Sequence, residues 1–282
     1  MSRWTESWRD FVRETSYKQI LAGEKISEDQ FWRSYAVYDR ILSYSGYPGE
    51  ILQRISSEIP AKSTFLDIGA GTGAFALPLS RKTKRTVAVD PSAYQLGVLQ
   101  EKAKQEGLSN ITILQKAWAD IVPGELCEIC CENCEMSGNG LDKSPIGGTG
   151  EVDYSLASYS MFDEDIVGFL QKMIDVSKKG VFIVFRAGDP EPLSEFAYGP
   201  KPFANYSCLQ HILAEMGYVF RAEIFDRSYA LPVDLALRQY RYSTKTQADL
   251  IEFLRAAGRL QEKDGALWAS FATKDALLYL IH

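Results

Sequence analysis

The chain has 282 residues, which is enough for one large α/β domain with additions and disfavours two full-sized domains. Its composition, 46% hydrophobic and 24% charged, is that of a globular protein with a substantial core, so general disorder is excluded. A net charge of −6 gives no general attraction to nucleic acid, and no apolar run suits a membrane span or a secretory leader, so we expect a cytoplasmic protein.

The first 59 residues are predicted to form an N-terminal helical cap, because apolar and aromatic residues recur there at helical spacing. Trp32, Tyr35 and Tyr38 belong to this pattern. They either close over a bound ligand or form an aromatic stripe in the core, which is the commoner role of such residues.

The middle of the chain alternates strand-like apolar runs with amphipathic helices. This alternation predicts a parallel sheet with right-handed crossovers. Two interruptions are predicted to be long loops, a Cys- and Gly-rich insertion at residues 121–151 and a Pro- and Gly-rich segment at residues 188–202. The expected strands are residues 64–68, 86–89, 111–114, 152–158, 180–185, 218–225 and 276–281.

The first strand runs into a glycine-rich turn at residues 69–73. Glycines at such a turn let the backbone approach a ligand closely and direct N–H groups towards it. Asp90, at the end of the second strand, lies where α/β folds bind ribose hydroxyls. Asp67 would repel the pyrophosphate of a dinucleotide but would attract the ammonium group of an amino-acid cofactor.

At these residues the sequence resembles the class I S-adenosylmethionine-dependent methyltransferases, whose glycine motif has the form hh(D/E)hGxGxG and whose second-strand acid binds the ribose. The resemblance implies S-adenosylmethionine as cofactor and S-adenosylhomocysteine as product. It also implies an α/β fold with a doubly wound, mostly parallel, seven-stranded Rossmann-like sheet, formed by residues 60–282 after the helical cap.

The resemblance also implies a set of cofactor contacts beyond the glycine turn. Ala117 and Trp118 take the adenine position, where Trp118 either stacks on the base or covers the sheet edge as a core residue. Residues 157–160 pass beneath the methionine part, and they lack the Asn/Asp-Pro-Pro-Tyr/Phe signature of enzymes that modify bases or glutamine. The predicted contacts are Asp67, Gly69, Ala70, Gly71, Thr72, Gly73, Asp90, Pro91, Ala117, Trp118, Ala157 and Ser158.

Few residues are candidates for the acceptor side. Tyr159 and Arg186 follow strands whose ends should face the acceptor, and Arg186 either anchors an anionic group or makes a structural ion pair. Of the two histidines, His211 is expected in a helix and His282 ends the chain. No catalytic base is assigned, because alignment of the acceptor with an activated methyl group can supply most of the rate.

Four of the five cysteines fall within eight residues, as Cys127, Cys130, Cys131 and Cys134. Four thiolates are the number that tetrahedral zinc requires, but the two CxxC elements adjoin, whereas zinc sites separate them. The same residues contain the spacing of radical S-adenosylmethionine enzymes, but there the motif follows the first strand of a barrel. The cluster therefore binds zinc or an iron–sulfur centre, or forms a reduced or redox-active loop.

These patterns predict a methyltransferase that O- or N-methylates a small molecule, without nucleic-acid or membrane partners. A protein side chain is an alternative acceptor. A non-catalytic S-adenosylmethionine-binding regulator or partner protein is a further alternative, and a nicotinamide-dependent oxidoreductase is opposed by Asp67. No motif identifies the acceptor or the oligomeric state.

Overall fold

The computed structural model describes residues 2–122, 124–130 and 150–281. The predicted N-terminal helices are confirmed as five short helices. The hydroxyls of Ser2, Thr15 and Ser27 each accept a backbone N–H at the start of one of them, which satisfies a donor that would otherwise lack a partner. The five helices are α1 (Arg3–Glu14), α2 (Ser16–Glu24), α3 (Glu28–Ser34), α4 (Tyr38–Ser45) and α5 (Gly49–Glu58).

The predicted α/β alternation is confirmed for the central part of the chain. Its elements are β1 (Thr64–Ile68), α6 (Ala76–Ser80), β2 (Arg85–Val89), α7 (Ala93–Gln105), β3 (Ile111–Leu114), α8 (Glu125–Cys130), β4 (Val152–Ser158), α9 (Ile166–Val176) and β5 (Ser177–Arg186). Helix α8 was not predicted, because it lies in the segment 121–151 that was expected to be a loop, and most of that segment lies outside the described residues. The remaining elements are α10 (Pro192–Tyr198), α11 (Tyr206–Glu215), β6 (Arg221–Pro232), α12 (Val233–Leu237), α13 (Gln247–Ala256), β7 (Leu260–Lys263) and β8 (Ala266–Ile281).

The strands form one sheet in the order β3-β2-β1-β4-β5-β8-β6, with β7 paired to β8. The five strands from β3 to β5 are parallel, and β8 runs antiparallel to both β5 and β6. Successive side chains of the central strands enter hydrophobic clusters on opposite faces, Leu66 and Ile183 on one face and Phe65 and Phe182 on the other. Burial on both faces explains why these strands are continuous apolar runs and were predictable.

The C-terminal strands differ from the prediction. The described residues contain eight strands instead of seven, because Asp264 and Gly265, both at positive φ, turn β7 into β8. Strand β8 begins ten residues earlier than expected and pairs with β6 along a twelve-residue register. Its first half alternates exposed and buried residues, and this weak apolar signal hid it from sequence analysis.

The segment 188–202 also differs from its prediction as a loop, since it contains helix α10. Pro192 stands at the first position of this helix, and the Glu191 carboxylate accepts the N–H of Leu193. Proline is favoured at that position, so the residue that suggested a loop instead begins a helix. Among the described helices, none is long and apolar enough to cross a bilayer.

A buried ion pair joins the two antiparallel C-terminal strands. The Asp275 carboxylate on β8 is 1% exposed, and its Oδ2 accepts from Nε and Nη2 of Arg227 on β6 at 3.2 and 2.9 Å. Its Oδ1 accepts a hydrogen bond from the Tyr159 hydroxyl. Both oxygens are therefore satisfied, as a buried carboxylate requires.

We expect Asp275→Ala to lower the free energy of unfolding by about 3 kcal/mol, because it leaves the partly buried Arg227 guanidinium without its counter-charge and the Tyr159 hydroxyl without its acceptor. Asp226→Ala is the matched control, since Asp226 forms an exposed pair with Lys274 at 3.4 Å on the same two strands. The control substitution should lower the free energy of unfolding by no more than about 1 kcal/mol. Urea denaturation measures both, and equal losses would contradict the structural importance of the buried pair.

Candidate cofactor and active site

A cavity of about 1060 Å³ lies between the helical cap and the carboxyl ends of β1, β2, β3 and β4. Ten of the twelve predicted cofactor residues line it, and Gly73 and Ala157 do not. Ligands bind at this edge of open α/β sheets, so the cavity occupies the expected place for a cofactor.

The turn after β1 requires glycine at position 69. Gly69 has φ +72°, and a Cβ there would lie 2.1 Å from Cβ of Ser160 after β4. Its N–H and that of Ala70 donate to the Val89 carbonyl at 2.7 and 3.0 Å. The turn thus brings the ends of β1, β2 and β4 into contact, which only a residue without a side chain allows.

Gly73 has a packing role in this structure. Its φ is +90°, and a Cβ added there would lie 2.8 Å from Cγ of Leu77 and 3.0 Å from Cγ of Leu99. The glycine allows the α6 segment to pack closely against α7, while Gly71 remains in the cavity wall.

Asp90 connects the loops that follow β1 and β2. Its Oδ2 accepts the Gly71 N–H and its Oδ1 accepts the Ser92 N–H, both at 2.9 Å. Burial raises the pKa of the carboxyl to about 6, against the lowering effect of these two hydrogen bonds. The carboxylate lines the cavity and keeps further lone pairs for hydroxyl donors.

Asp67 is a buried carboxylate with an unsatisfied oxygen. Its side chain is 2% exposed, and Oδ2 has no hydrogen-bond partner among the described residues. Burial raises the pKa of this carboxyl to about 7, although the Ala76 N–H donates to it. Because Asp67 lines the cavity, a ligand with a positively charged N–H donor fits it, as the ammonium group of S-adenosylmethionine would.

Trp118 is a core residue, as one of the two interpretations of the sequence predicted. It is 6% exposed within the main hydrophobic cluster, and its indole N–H donates to the Phe169 carbonyl at 3.3 Å. It nevertheless lines the cavity, as does Ala117. A core tryptophan therefore supplies part of the wall where the resemblance implies the adenine.

The cap is attached to both cofactor loops by carboxylates that sequence analysis did not identify. Asp39 accepts a hydrogen bond from the Thr72 hydroxyl at 2.5 Å and pairs with Lys102 at 2.8 Å. Asp29 accepts from the Tyr94 N–H at 2.6 Å. Both acids lie in the first turn of a helix, a common position that gives no indication of such distant partners.

The cap aromatics Trp32, Tyr35 and Tyr38 all line the cavity and pack against one another, with ring centroids 5.4–6.3 Å apart. Burial raises the pKa of Tyr38 to about 12, so its phenol stays protonated. Sequence analysis missed Tyr47, whose hydroxyl forms a hydrogen bond with the Ser158 hydroxyl in the same wall. The aromatic stripe is thus both cap core and cavity wall.

The two candidate acceptor-side residues lie in different environments. Tyr159 lines the cavity at φ +54°, a backbone conformation uncommon outside glycine, and its hydroxyl donates to Asp275. Arg186 does not line the cavity and lies over the rings of Phe11, Phe185 and Phe203.

The remaining candidate residues lie away from the cavity or outside the described residues. His211 is exposed, stacks on Trp4 and contacts the Ser207 carbonyl. Cys127 and Cys130 belong to helix α8, whereas Cys131, Cys134 and His282 lie outside the described residues. Within the described ranges, no group of His, Cys, Asp and Glu is arranged to hold a metal ion. Metal binding by the cysteine cluster stays a prediction.

Parts of this sequence are similar to known protein sequences. A family model described as a methyltransferase domain matches residues 65–136. An uncharacterised protein of Haemophilus influenzae is 28% identical over 139 residues, which are 49% of this chain and 42% of that protein. The ribosomal protein L11 methyltransferase of Clostridium perfringens is 24% identical over 198 residues, 63% of this chain and 61% of the relative. The chain spans less than two thirds of the length of either relative.

A solved structure shares the fold. The crystal structure of a candidate methyltransferase from Bacillus halodurans C-125 is 14% identical, with a TM-score of 0.56 over 82% of this chain and 96% of that protein. The glycine turn and its two carboxylates lie within the residues that the methyltransferase-domain model matches, and the fold is shared with the Bacillus halodurans structure, so the chain is similar to methyltransferases with a Rossmann-like fold.

Proposed function

We propose that the protein transfers a methyl group from S-adenosylmethionine to an oxygen or nitrogen of a small molecule. The observation that carries this proposal is the unsatisfied Asp67 carboxylate in the same cavity wall as Asp90, with the cavity continuing beneath an aromatic cap. An amino-acid nucleoside needs these two acids, one for its ammonium group and one for its ribose.

The residues of the chain divide the cofactor contacts between them. Asp90 accepts the ribose hydroxyls while it keeps the Gly71 and Ser92 N–H bonds, and Asp67 faces the ammonium group. Trp118 and Ala117 form the adenine wall. When bound, the cofactor supplies a methyl group already activated by its sulfonium.

The protein's contribution to transfer is alignment and exclusion of water. An acceptor held between the cap aromatics and the β4 end directs its lone pair at the methyl carbon, and such alignment is worth up to about 7–11 kcal/mol. The cofactor, held by Asp67 and Asp90, would supply the methyl group, and its sulfur would keep the electron pair of the carbon–sulfur bond. The phenol of Tyr38, with its raised pKa, stays protonated and serves as wall and hydrogen-bond donor.

A small acceptor suits this cavity better than a macromolecule. Its volume exceeds the few hundred to about 1000 Å³ of a typical ligand site, so cofactor and acceptor can share it. The cap, attached through Asp29 and Asp39, covers the cavity. A protein side chain is the second candidate, favoured by the similarity to a ribosomal protein L11 methyltransferase.

Methyl-labelled S-adenosylmethionine tests the two candidates directly. The purified protein is incubated with cell extract separated into a low-molecular-weight and a protein fraction, with Asp90→Ala as the inactive control. We expect label in the small-molecule fraction. Label only in the protein fraction would favour the second candidate, and tight S-adenosylhomocysteine binding without transfer to either fraction would favour a non-catalytic binding protein.

Asp90→Ala should weaken S-adenosylhomocysteine binding by about 1.5–3 kcal/mol, because a charged hydrogen bond to the ribose is lost. Calorimetry measures the affinity, and circular dichroism establishes that the variant is folded, since the Gly71 and Ser92 bonds are also removed. The exposed Asp226→Ala variant should bind like the wild type. Equal affinity in a folded Asp90→Ala protein would reject the ribose assignment.

Asp67→Asn should stabilise the free protein while it weakens cofactor binding. The pKa of Asp67 rises from 3.8 to about 7 on folding, so the wild type loses stability as pH rises through this window, at about 1.4 kcal/mol per unit. The neutral amide avoids that loss. The stability gain, measured by urea denaturation, should grow between pH 5 and pH 8, and a pH-independent difference would contradict it.

A further inference from the structure

Arg186 is a cation held among aromatic rings at the carboxyl end of β5. Its guanidinium lies 5.2, 5.0 and 5.6 Å from the ring centroids of Phe11, Phe185 and Phe203. Burial lowers the pKa of this group, but an arginine stays charged at any physiological pH. The positive charge is therefore fixed in a mostly apolar environment.

No acid within the described residues neutralises this charge. The Nε atom is buried without a hydrogen-bond partner, and no ion pair joins Arg186 to a described carboxylate. Asp275 lies opposite Arg186 in the β5–β8 register, but its carboxylate binds Arg227 and Tyr159. Buried charges are normally paired, and the three rings compensate only part of the cost.

Arg186 lies outside the cavity lining but next to it along β5. The neighbouring Phe185 ring packs 5.7 Å from the ring of Tyr159, which lines the cavity. As a whole residue, Arg186 is partly exposed.

The cations in the cavity wall itself already have partners. Each forms an ion pair with a glutamate: Arg13 with Glu164 at 2.8 Å, Lys18 with Glu28 at 3.9 Å and Lys116 with Glu125 at 2.5 Å. Among the described residues near the end of β4, Arg186 is therefore a cation without an acidic partner, although it lies outside the cavity wall itself.

We propose that Arg186 binds an oxyanion, a carboxylate or phosphate group, of a ligand of this site. A guanidinium is suited to this task because its planar N–H groups match two oxygens of such an anion. Given the proposed function, the oxyanion belongs either to the methyl acceptor or to the amino-acid carboxylate of the cofactor. Both sources present the same chemistry to Arg186, and they can be separated by experiment.

The first measurement is thermal unfolding in inorganic phosphate against chloride at equal ionic strength, which requires no turnover. Phosphate at about 100 mM should raise the Tm of the wild type, because a ligand that binds only the folded state stabilises it. Arg186→Met should have a higher Tm than the wild type in chloride and no response to phosphate. Arg186→Lys should retain a reduced response, and the exposed Arg238→Met control should respond like the wild type.

The second measurement assigns the source of the oxyanion. A loss of about tenfold or more in S-adenosylhomocysteine affinity in Arg186→Met, with no phosphate effect on the saturated wild type, assigns it to the cofactor. Unchanged affinity, with phosphate still stabilising the saturated wild type, assigns it to the acceptor. The proposal is overturned if phosphate acts like chloride on the wild type and Arg186→Met leaves the affinity unchanged. It stands if these effects appear without methyl transfer, in which case only the proposed function fails.

Discussion

The Asp90 carboxylate is the contact on which the rest of the site depends. By accepting the Gly71 and Ser92 N–H groups it holds the loops after β1 and β2 at a fixed separation. The cap docks on these same loops, through Asp39 at Thr72 and through Asp29 at Ser92 and Tyr94. This one carboxylate, at the end of β2, thus fixes the loops that line the cavity on the sheet side. Because the helical cap docks on the same loops, it also fixes where the cap is attached.

The arrangement of charged groups around the cavity lowers the stability of the protein without a ligand. Asp67 and Asp90 both have raised pKa values because burial disfavours their charge, and Arg186 is a partly buried cation that no acid among the described residues pairs with. Groups perturbed in this way concentrate at binding sites, where a ligand supplies the missing partner. The core elsewhere satisfies its buried charges, as the Asp275–Arg227 pair does with both carboxylate oxygens occupied.

The parallel half of the sheet and the glycine turn after β1 were predictable because their signals are local. β1, β3 and β4 begin and end at the predicted residues, since apolar runs, mostly buried in β1 and β4 and partly buried in β3, are bounded by polar turns. Glycines at fixed spacing between two acids marked the turn. β8 and α10 were misjudged because an alternating strand and a proline-initiated helix resemble loops in sequence. Tyr47 and Asp275 contact partners more than one hundred residues away, at Ser158 and Tyr159, and no local pattern encodes such pairs.

Strand β8 links two hydrophobic cores by covalent continuity. Its C-terminal half, with Leu277 and Leu278, belongs to the clusters on the two faces of the main sheet, while Ala269 and Phe271 belong to a separate cluster with α10, α12 and α13. Because the same strand contributes side chains to both cores, and β6 pairs with it along both halves, the two cores are expected to unfold as one cooperative unit.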